Sequence, residues 1–168
     1  MTMTVTDYRS PLGDVRLAVR DGRLCAMAFR DGWPRLEQWL ARRFPGVART
    51  SGEAGEIRRR LDAYFGGELT ALDQIGVDPG GTPFQQAVWA ALRRIPVGHT
   101  TTYGALAREI GSPSAVRAVG AANGANPIWL VVPCHRAIGA DGRLVGYAGG
   151  LERKRWLLTH ERALTQLI

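Results

Sequence analysis

Cysteine, histidine and long apolar runs are scarce in this chain of 168 residues. The two cysteines, Cys25 and Cys134, are too few for a disulfide framework, so we expect reduced thiols. No stretch approaches the roughly 18 consecutive apolar residues of a membrane-spanning helix. The N-terminus has no basic segment followed by an apolar run, so no secretory signal is expected and the predicted location is the cytoplasm. The first half has no histidine and one cysteine, so we expect no zinc site there, and we predict no metal or cofactor.

Lysine is also scarce, because 21 of the 22 basic residues are arginines and Lys154 is the exception. The net charge is +7, with +1 carried up to Gly81 and +6 from Thr82 onward. A basic half on a globular protein suggests a polyanionic partner, nucleic acid first. The alternative is that an arginine-rich composition reflects the base content of the genome. Apolar residues make up 45% and charged residues 22%, which excludes a disordered, collagen-like or coiled-coil chain.

The first half predicts a small antiparallel sheet with helices packed on it. Alternating apolar residues and an Asp21-Gly22 turn indicate strands, and two helical patterns follow them. The predicted strands are Thr4–Arg9, Val15–Arg20 and Leu24–Arg30, and the predicted helices are Pro34–Arg43 and Glu53–Phe65. We predict an α/β (α+β) fold with an N-terminal domain over 1–75, a linker over 76–81 and a C-terminal domain over 82–168.

The second half predicts a helical domain with a helix-turn-helix. Thr82, Pro83 and Gln85 have the pattern of a capping box at a helix start. Two short helices are then predicted over Tyr103–Ile110 and from Ser112 to Asn123, joined by a tight turn. The second of these is rich in small residues around Arg117, which suits close approach either to DNA or to the protein interior. A last helix is predicted from Leu151 to Leu164.

One cysteine lies where a reactive thiol is expected. The apolar run Ile128–Val132, predicted as a buried strand, leads into Pro133-Cys134-His135-Arg136. Neighbouring His and Arg lower the pKa of a thiol, although adjacent residues of an extended segment point to opposite sides, so His135 would act through a water or a bend. The group that orients His135 stays open among Asp141, Glu152 and Glu161. An inert buried cysteine is the alternative.

The segment around Cys134 resembles the active-site region of the O6-alkylguanine-DNA alkyltransferases, also called methylated-DNA–protein-cysteine methyltransferases. The resemblance rests on Val132–Arg136, on Asn126-Pro127 before it and on Gly146–Gly150 after it, and it extends over 82–161. It implies an RNase H-like N-terminal domain and a winged helix-turn-helix. It also implies single-turnover DNA repair, in which an O6-alkylguanine, with O4-alkylthymine as a second candidate, is flipped out of the duplex and its alkyl group passes irreversibly to a cysteine.

The resemblance also implies a role for each site residue. Cys134 would accept the alkyl group, His135 would act through a water with Glu161 orienting it, and Tyr103 would donate toward the guanine N3. Arg117 would fill the space of the flipped nucleotide at the minor groove of double-stranded DNA, bound by a monomer or cooperatively. The further implied DNA contacts are Thr102, Ala118, Gly120, Ala121 and Arg136. The implied pocket and support residues are Asn126, Pro133, Val145, Gly146, Tyr147, Ala148, Gly149 and Lys154.

Two other functions compete with repair by alkyl transfer. A lesion-recognition module would flip the base without transferring the alkyl group, but such a module needs no cysteine. A thiol hydrolase would need an oxyanion site, for which the sequence offers no evident donor pair.

Overall fold

The computed structural model describes residues 2–164, which form two compact units. The first unit comprises Met1–Gly80 together with Pro127–Val131, and the second comprises Gly81–Asn126 and Val132–Ile168. The predicted division at 76–81 places Pro127–Val131 in the C-terminal domain, whereas in the structure this segment belongs to the first unit. None of the helices within residues 2–164 is long and apolar enough to cross a membrane.

The first unit is a four-stranded sheet with two helices. Its elements are β1 (Thr2–Ser10), β2 (Gly13–Arg20), β3 (Arg23–Phe29), α1 (Trp33–Arg43), β4 (Ala48–Ser51) and α2 (Gly55–Phe65). The order is β3-β2-β1-β4, with β1, β2 and β3 antiparallel as predicted. β4 was not predicted. Because it follows the crossover through α1, it joins β1 in parallel, and the sheet is therefore mixed.

The core of this unit lies between the sheet and the helices. Its buried side chains include Leu17, Leu24, Met27, Leu40, Leu61 and Tyr64. Alternation along the strands and the 3–4 residue spacing along the helices bring these apolar side chains to one side of each element.

The edge strand β3 is paired with two segments from distant parts of the chain. The backbone of Leu24 exchanges hydrogen bonds of 2.9 Å with Gly76 and Asp78, within the predicted linker. Further along β3, Met27 bonds in the same way with Pro127 and Trp129 at 2.9 Å. These contacts satisfy backbone groups that an open sheet edge would expose.

The second unit contains four helices and a two-stranded parallel ribbon. Its elements are α3 (Pro83–Arg93), β5 (Thr101–Thr102), α4 (Tyr103–Glu109), α5 (Val116–Gly124), β6 (Ala137–Ile138) and α6 (Leu151–His160). The predicted capping box is present, with bonds of 3.1 and 3.0 Å between Thr82 and Gln85. The core includes Val88, Trp89, Leu106 and Val119, and the indole of Trp89 donates to the Ala122 carbonyl at 2.8 Å.

Three predicted elements of the second half differ from the structure. α5 begins at Val116 and not after Ser112, because Ser112 instead closes a turn by accepting a 2.9 Å hydrogen bond from the amide of Ala115. The predicted strand Ile128–Val132 is wrong beyond its first residue. Leu130 has φ of +75°, and the amide of Val131 bonds the Trp129 carbonyl at 2.9 Å, so the chain turns instead of extending.

The last helix is shorter than the sequence predicts. α6 ends at His160 rather than Leu164, and Arg162 has φ of +62°. A positive φ is incompatible with continued right-handed helix. The end of the helix therefore leaves Glu161 at its C-terminal boundary, where its side chain becomes part of the site described next.

Candidate functional site

Cys134 is presented by a tight turn. The amide of Cys134 bonds the Val132 carbonyl at 2.8 Å, and residues Cys134–Arg136 form one turn of 3-10 helix. The sequence leaves open whether His135 acts through a water or a bend, and the structure contains the bend. Cys134 is buried, with 3% of its surface exposed.

Asn126 holds both the backbone before Cys134 and the thiol itself. Its amide nitrogen donates to the Val132 carbonyl at 2.9 Å, and its side chain also hydrogen-bonds the Cys134 thiol. Burial raises the pKa of Cys134 to about 11, and the Asn126 bond and the positive charge of Lys154 only partly oppose this. Desolvation therefore outweighs the neighbouring polar groups in setting the pKa of Cys134.

His135 pairs with a carboxylate from the far end of the chain. Its Nε2 lies 2.8 Å from Oε2 of Glu161, and both side chains are buried. Because an ionised carboxylate only accepts hydrogen bonds, Nε2 carries the proton and Nδ1 keeps its lone pair. No side chain or backbone group within residues 2–164 bonds this Nδ1. The imidazole therefore offers a free basic nitrogen inside the protein.

The other two acids considered as partners of His135 lie elsewhere. Asp141 accepts from the backbone amide of Arg143 at 3.1 Å and pairs with its guanidinium in an exposed loop. Glu152 is exposed in the first turn of α6. Of the three candidates, the structure brings only Glu161 to His135.

Arg136 is also bound to Glu161. Its Nε donates to Oε1 at 2.8 Å and its Nη2 to Oε2 at 3.1 Å, while Nη1 donates to the Ile95 carbonyl at 2.7 Å. The guanidinium is buried, so the DNA contact predicted for Arg136 disagrees with its placement. Burial alone would raise the pKa of Glu161, but His135 and Arg136 outweigh it and hold that pKa well below its usual range.

Lys154 is a buried cation that ties two segments of the site together. Its Nζ donates to the carbonyls of Ala137 at 2.5 Å, Val145 at 2.7 Å and Gly146 at 3.3 Å. Burial lowers the pKa of Lys154 to about 8, and the charge on Cys134 opposes that shift. The ammonium thus anchors the start of the glycine-rich loop to β6 and acts electrostatically on the thiol.

Aromatic residues line the same region. The hydroxyl of Tyr103 is 3.5 Å from the Val145 carbonyl, and burial, followed by the charge of Cys134, raises the pKa of Tyr103. The ring of Tyr147 meets the His135 ring edge-on, with centroids 6.4 Å apart. A Cβ on Gly149 would lie 2.6 Å from the Tyr147 ring, so a side chain there would require the ring to shift. Ala148, by contrast, is exposed.

The remaining predicted DNA contacts lie on α4 and α5. Arg117, Ala118 and Ala121 are exposed on α5, and a Cβ added to Gly120 would meet no atom within 4 Å. The hydroxyl of Thr102 accepts from the amide of Ala105 at 3.1 Å and so caps α4. Their contacts with DNA stay predictions.

The resemblance implied Glu161 as the partner of His135, but the binding of Arg136 to the same carboxylate was not predicted. A signal for it exists in the chain, because two adjacent basic side chains after a buried apolar run need an anion to offset their burial. The second half offers only four acids, of which Glu161 follows a helix with apolar residues at Leu157 and Leu158. Within residues 2–164, no cluster of three or more His, Cys, Asp or Glu side chains could hold a metal ion.

Comparison with known proteins gives consistent matches over nearly the whole chain. Residues 83–163 match the family model described as 6-O-methylguanine DNA methyltransferase, DNA binding domain. Methylated-DNA–protein-cysteine methyltransferase of Salmonella typhimurium is 49% identical over 156 residues, which cover 90% of this chain and 91% of that protein. The enzyme of the same name from Methanosarcina acetivorans is 44% identical, covering 92% of this chain and 95% of its own.

A solved structure of Mycobacterium tuberculosis OGT in complex with DNA has a matching fold. Its TM-score is 0.81 at 42% sequence identity, and the match covers 97% of this chain and 94% of that one. The similarity therefore includes both units and is not confined to the segment around Cys134.

Proposed function

The chain belongs to the methylated-DNA–protein-cysteine methyltransferase family, and we propose that Cys134 is the residue that accepts the alkyl group. The protein binds DNA and repairs it by moving an alkyl group from O6 of guanine to a cysteine. The observation that carries the assignment to Cys134 is its hydrogen bond to Asn126 and its position directly before the buried His135–Glu161 pair. Cys25 lies within β3, where burial raises the pKa of its thiol.

The reaction balances with the groups at this site. The Cys134 thiol passes its proton through a water to Nδ1 of His135, and the thiolate attacks the alkyl carbon in line with the bond to O6. An S–C bond forms, the C–O6 bond breaks and its electron pair stays with the guanine. The thioether is not hydrolysed, so each molecule acts once.

The departing guanine needs its negative charge offset. Tyr103 donates toward N3 of the base, and its hydroxyl is already oriented near the Val145 carbonyl at the loop that walls the pocket. Val145, Gly146, Tyr147, Ala148 and Gly149 form that wall in our proposal, and Pro133 and Asn126 fix the backbone beneath the thiol. Lys154 supports the loop and stabilises the thiolate.

The damaged base reaches this buried thiol only after leaving the DNA stack. We propose that α5 enters the minor groove, with Arg117 occupying the space of the flipped nucleotide and Thr102, Ala118, Gly120 and Ala121 along the DNA. The exposed small residues of α5 support this, because a narrow groove admits little bulk. The basic excess from Thr82 onward provides the attraction to phosphate, and a monomer suffices for these contacts.

The test is to mix the protein with duplex DNA containing one O6-methylguanine and to measure the intact mass of both components. We expect the protein to gain one methyl group, mapped to Cys134, and the DNA to lose one. Cys25→Ala should transfer normally and Cys134→Ala should not transfer.

Two results would contradict the proposal in different ways. Tight binding of the lesion without a mass change would make the protein a recognition module. Turnover of a thioester or peptide substrate without methyl gain would instead favour a thiol hydrolase.

A further inference from the structure

Two buried bases share one buried carboxylate beside Cys134. Arg136 contacts both oxygens of Glu161 through two nitrogens, at 2.8 and 3.1 Å, and His135 contacts Oε2 at 2.8 Å. The third guanidinium nitrogen is fixed by the Ile95 carbonyl at 2.7 Å. Because the planar fork matches the carboxylate, it fixes the rotation of the carboxylate as well as its position.

We propose that Arg136 is a positioning residue of the alkyl-transfer site: its guanidinium holds the Glu161 carboxylate turned toward Nε2 of His135 and shares its negative charge, so that Nδ1 of His135 is left to accept a proton. Arg136 itself touches neither the thiol nor the substrate. It acts through Glu161.

The charge of Arg136 is as important as its geometry. A lone buried carboxylate beside an imidazole favours the protonated, positively charged ring, which cannot accept a proton from a thiol. With Arg136 bound, the carboxylate is already neutralised, and its attraction for a second positive charge is weaker. Glu161 then orients the ring through one hydrogen bond without trapping it as a cation.

The other titratable groups near His135 do not replace Arg136. Cys134 precedes His135, and Tyr147 contacts the ring edge-on. Lys154 on α6 and Tyr103 on α4 interact electrostatically with Cys134. All four remain in an Arg136 variant, so a change in pH dependence would report the loss of Arg136 alone.

This inference rests on the proposed function, but one of its readouts does not need DNA. The rate of Cys134 alkylation by iodoacetamide is measured from pH 5 to 9 in the full chain, together with methyl transfer from the lesion duplex. We expect both rates to fall toward acid pH, as in any reaction that needs an unprotonated base. Arg136→Met removes the charge, Arg136→Lys keeps it without the fork, and Arg155→Met removes an exposed arginine of α6 as the matched control.

We expect the acidic limb of both profiles to move to higher pH by about one unit in Arg136→Met, and to stay within about 0.3 unit of wild type in Arg136→Lys and Arg155→Met. Arg136→Lys should still transfer more slowly than wild type at every pH, because one ammonium cannot hold both carboxylate oxygens. Arg136→Gln, which keeps an N–H donor, is the second uncharged variant should Arg136→Met not fold.

A merely structural role gives a different pattern. If folded Arg136→Met or Arg136→Gln reacts more slowly with an unmoved acidic limb, the inference is wrong. If wild type shows the iodoacetamide profile but transfers no methyl group, the proposed function fails while the role of Arg136 is still decided by the iodoacetamide data.

Discussion

The Cys134 thiol is at once the proposed acceptor and one of the least accessible groups of the site. Its burial raises its pKa to about 11, so at neutral pH it is a thiol rather than a thiolate. Such a group reacts only when a base removes its proton at the moment of transfer. The residues around Cys134 therefore act through their placement, which lets the proton be removed during transfer, and do not keep the sulfur permanently ionised.

Removal of Lys154 should slow methyl transfer and loosen the glycine-rich loop, and the two effects can be measured separately. Lys154→Met deletes hydrogen bonds to three carbonyls and the positive charge near the thiol, so we expect methyl transfer to slow by about tenfold or more. The released loop should also be cut faster by trypsin after Arg143, which is exposed. Arg155→Met should change neither measurement, and an unaltered transfer rate in Lys154→Met would contradict the prediction.

Glu161 should make the protein sensitive to acid. Its pKa is below the model-peptide value of 4.5 in the folded state, so its contribution to stability is complete above pH about 4.5 and is lost as pH falls further. Urea unfolding should show a loss of up to about 1.4 kcal/mol per pH unit from this group.

The matched comparison uses two glutamine variants. Glu161→Gln should be less stable at pH 7 and should lose less on acidification than wild type. Glu56→Gln removes an exposed carboxylate whose pKa is lowered mainly by its bond to Arg59, and it should follow the wild-type curve. If the free energies of unfolding of wild type and Glu161→Gln fell in parallel with pH, the role of Glu161 in acid sensitivity would be contradicted.

At the scale of elements, the sequence predicts those structures that have local signals. The capping box at Thr82 and the Asp21-Gly22 hairpin are both present, because each depends on residues close together in the chain. β4 has four exposed residues and no apolar alternation, and the pairing of β5 with β6 spans distant residues, so neither gave a pattern. The turn at Leu130 is set by tertiary packing, against the strand propensity of its neighbours.

The same distinction applies to the site. Cys134 and His135 are adjacent and could be identified from the chain. The residue types alone left Glu161 as one of three candidates, and the resemblance to the family singled it out. The DNA contact predicted for Arg136 came from the resemblance, and the sequence does not show that its guanidinium is buried.

The exposed side of α5 predicts opposite changes in stability and DNA binding. Gly120→Ala adds a methyl group into open space within a helix, so the free energy of unfolding should rise by about 0.5–1 kcal/mol. The same methyl group lies on the proposed DNA-facing side, so affinity for duplex DNA should fall severalfold. Gly55→Ala, in the first turn of α2, is the control that should leave DNA affinity unchanged. An unchanged DNA affinity in Gly120→Ala would contradict the placement of this side of α5 against DNA.

At the scale of the whole molecule, charge is unevenly distributed along the chain. The first half is nearly neutral, and the residues from Thr82 onward carry +6. The buried cations Arg136 and Lys154 are satisfied within the site, so the exposed arginines remain to attract DNA. In our proposal, the charges of Arg136 and Lys154 serve the alkyl-transfer site, and the charges of the exposed arginines serve DNA binding.

Salt should therefore weaken DNA binding while leaving the chemistry of the thiol intact. Between 50 and 200 mM NaCl we expect affinity for undamaged duplex to fall by roughly tenfold or more, because phosphate contacts release counterions. Alkylation of Cys134 by iodoacetamide should change by less than about twofold over the same range, since its partners are buried. Salt-independent DNA affinity would contradict an electrostatic interface.

The burial of Cys134 also bears on how long an unused molecule lasts. Because each molecule acts once, the remaining repair capacity equals the number of copies that still hold a free thiol. Oxidants attack thiolates that solvent can reach, and they convert them through sulfenic acid to forms that cannot be alkylated. Because Cys134 is 3% exposed and burial raises its pKa to about 11, we expect its oxidation to be slow, so that most unused molecules keep a free thiol until damaged DNA arrives.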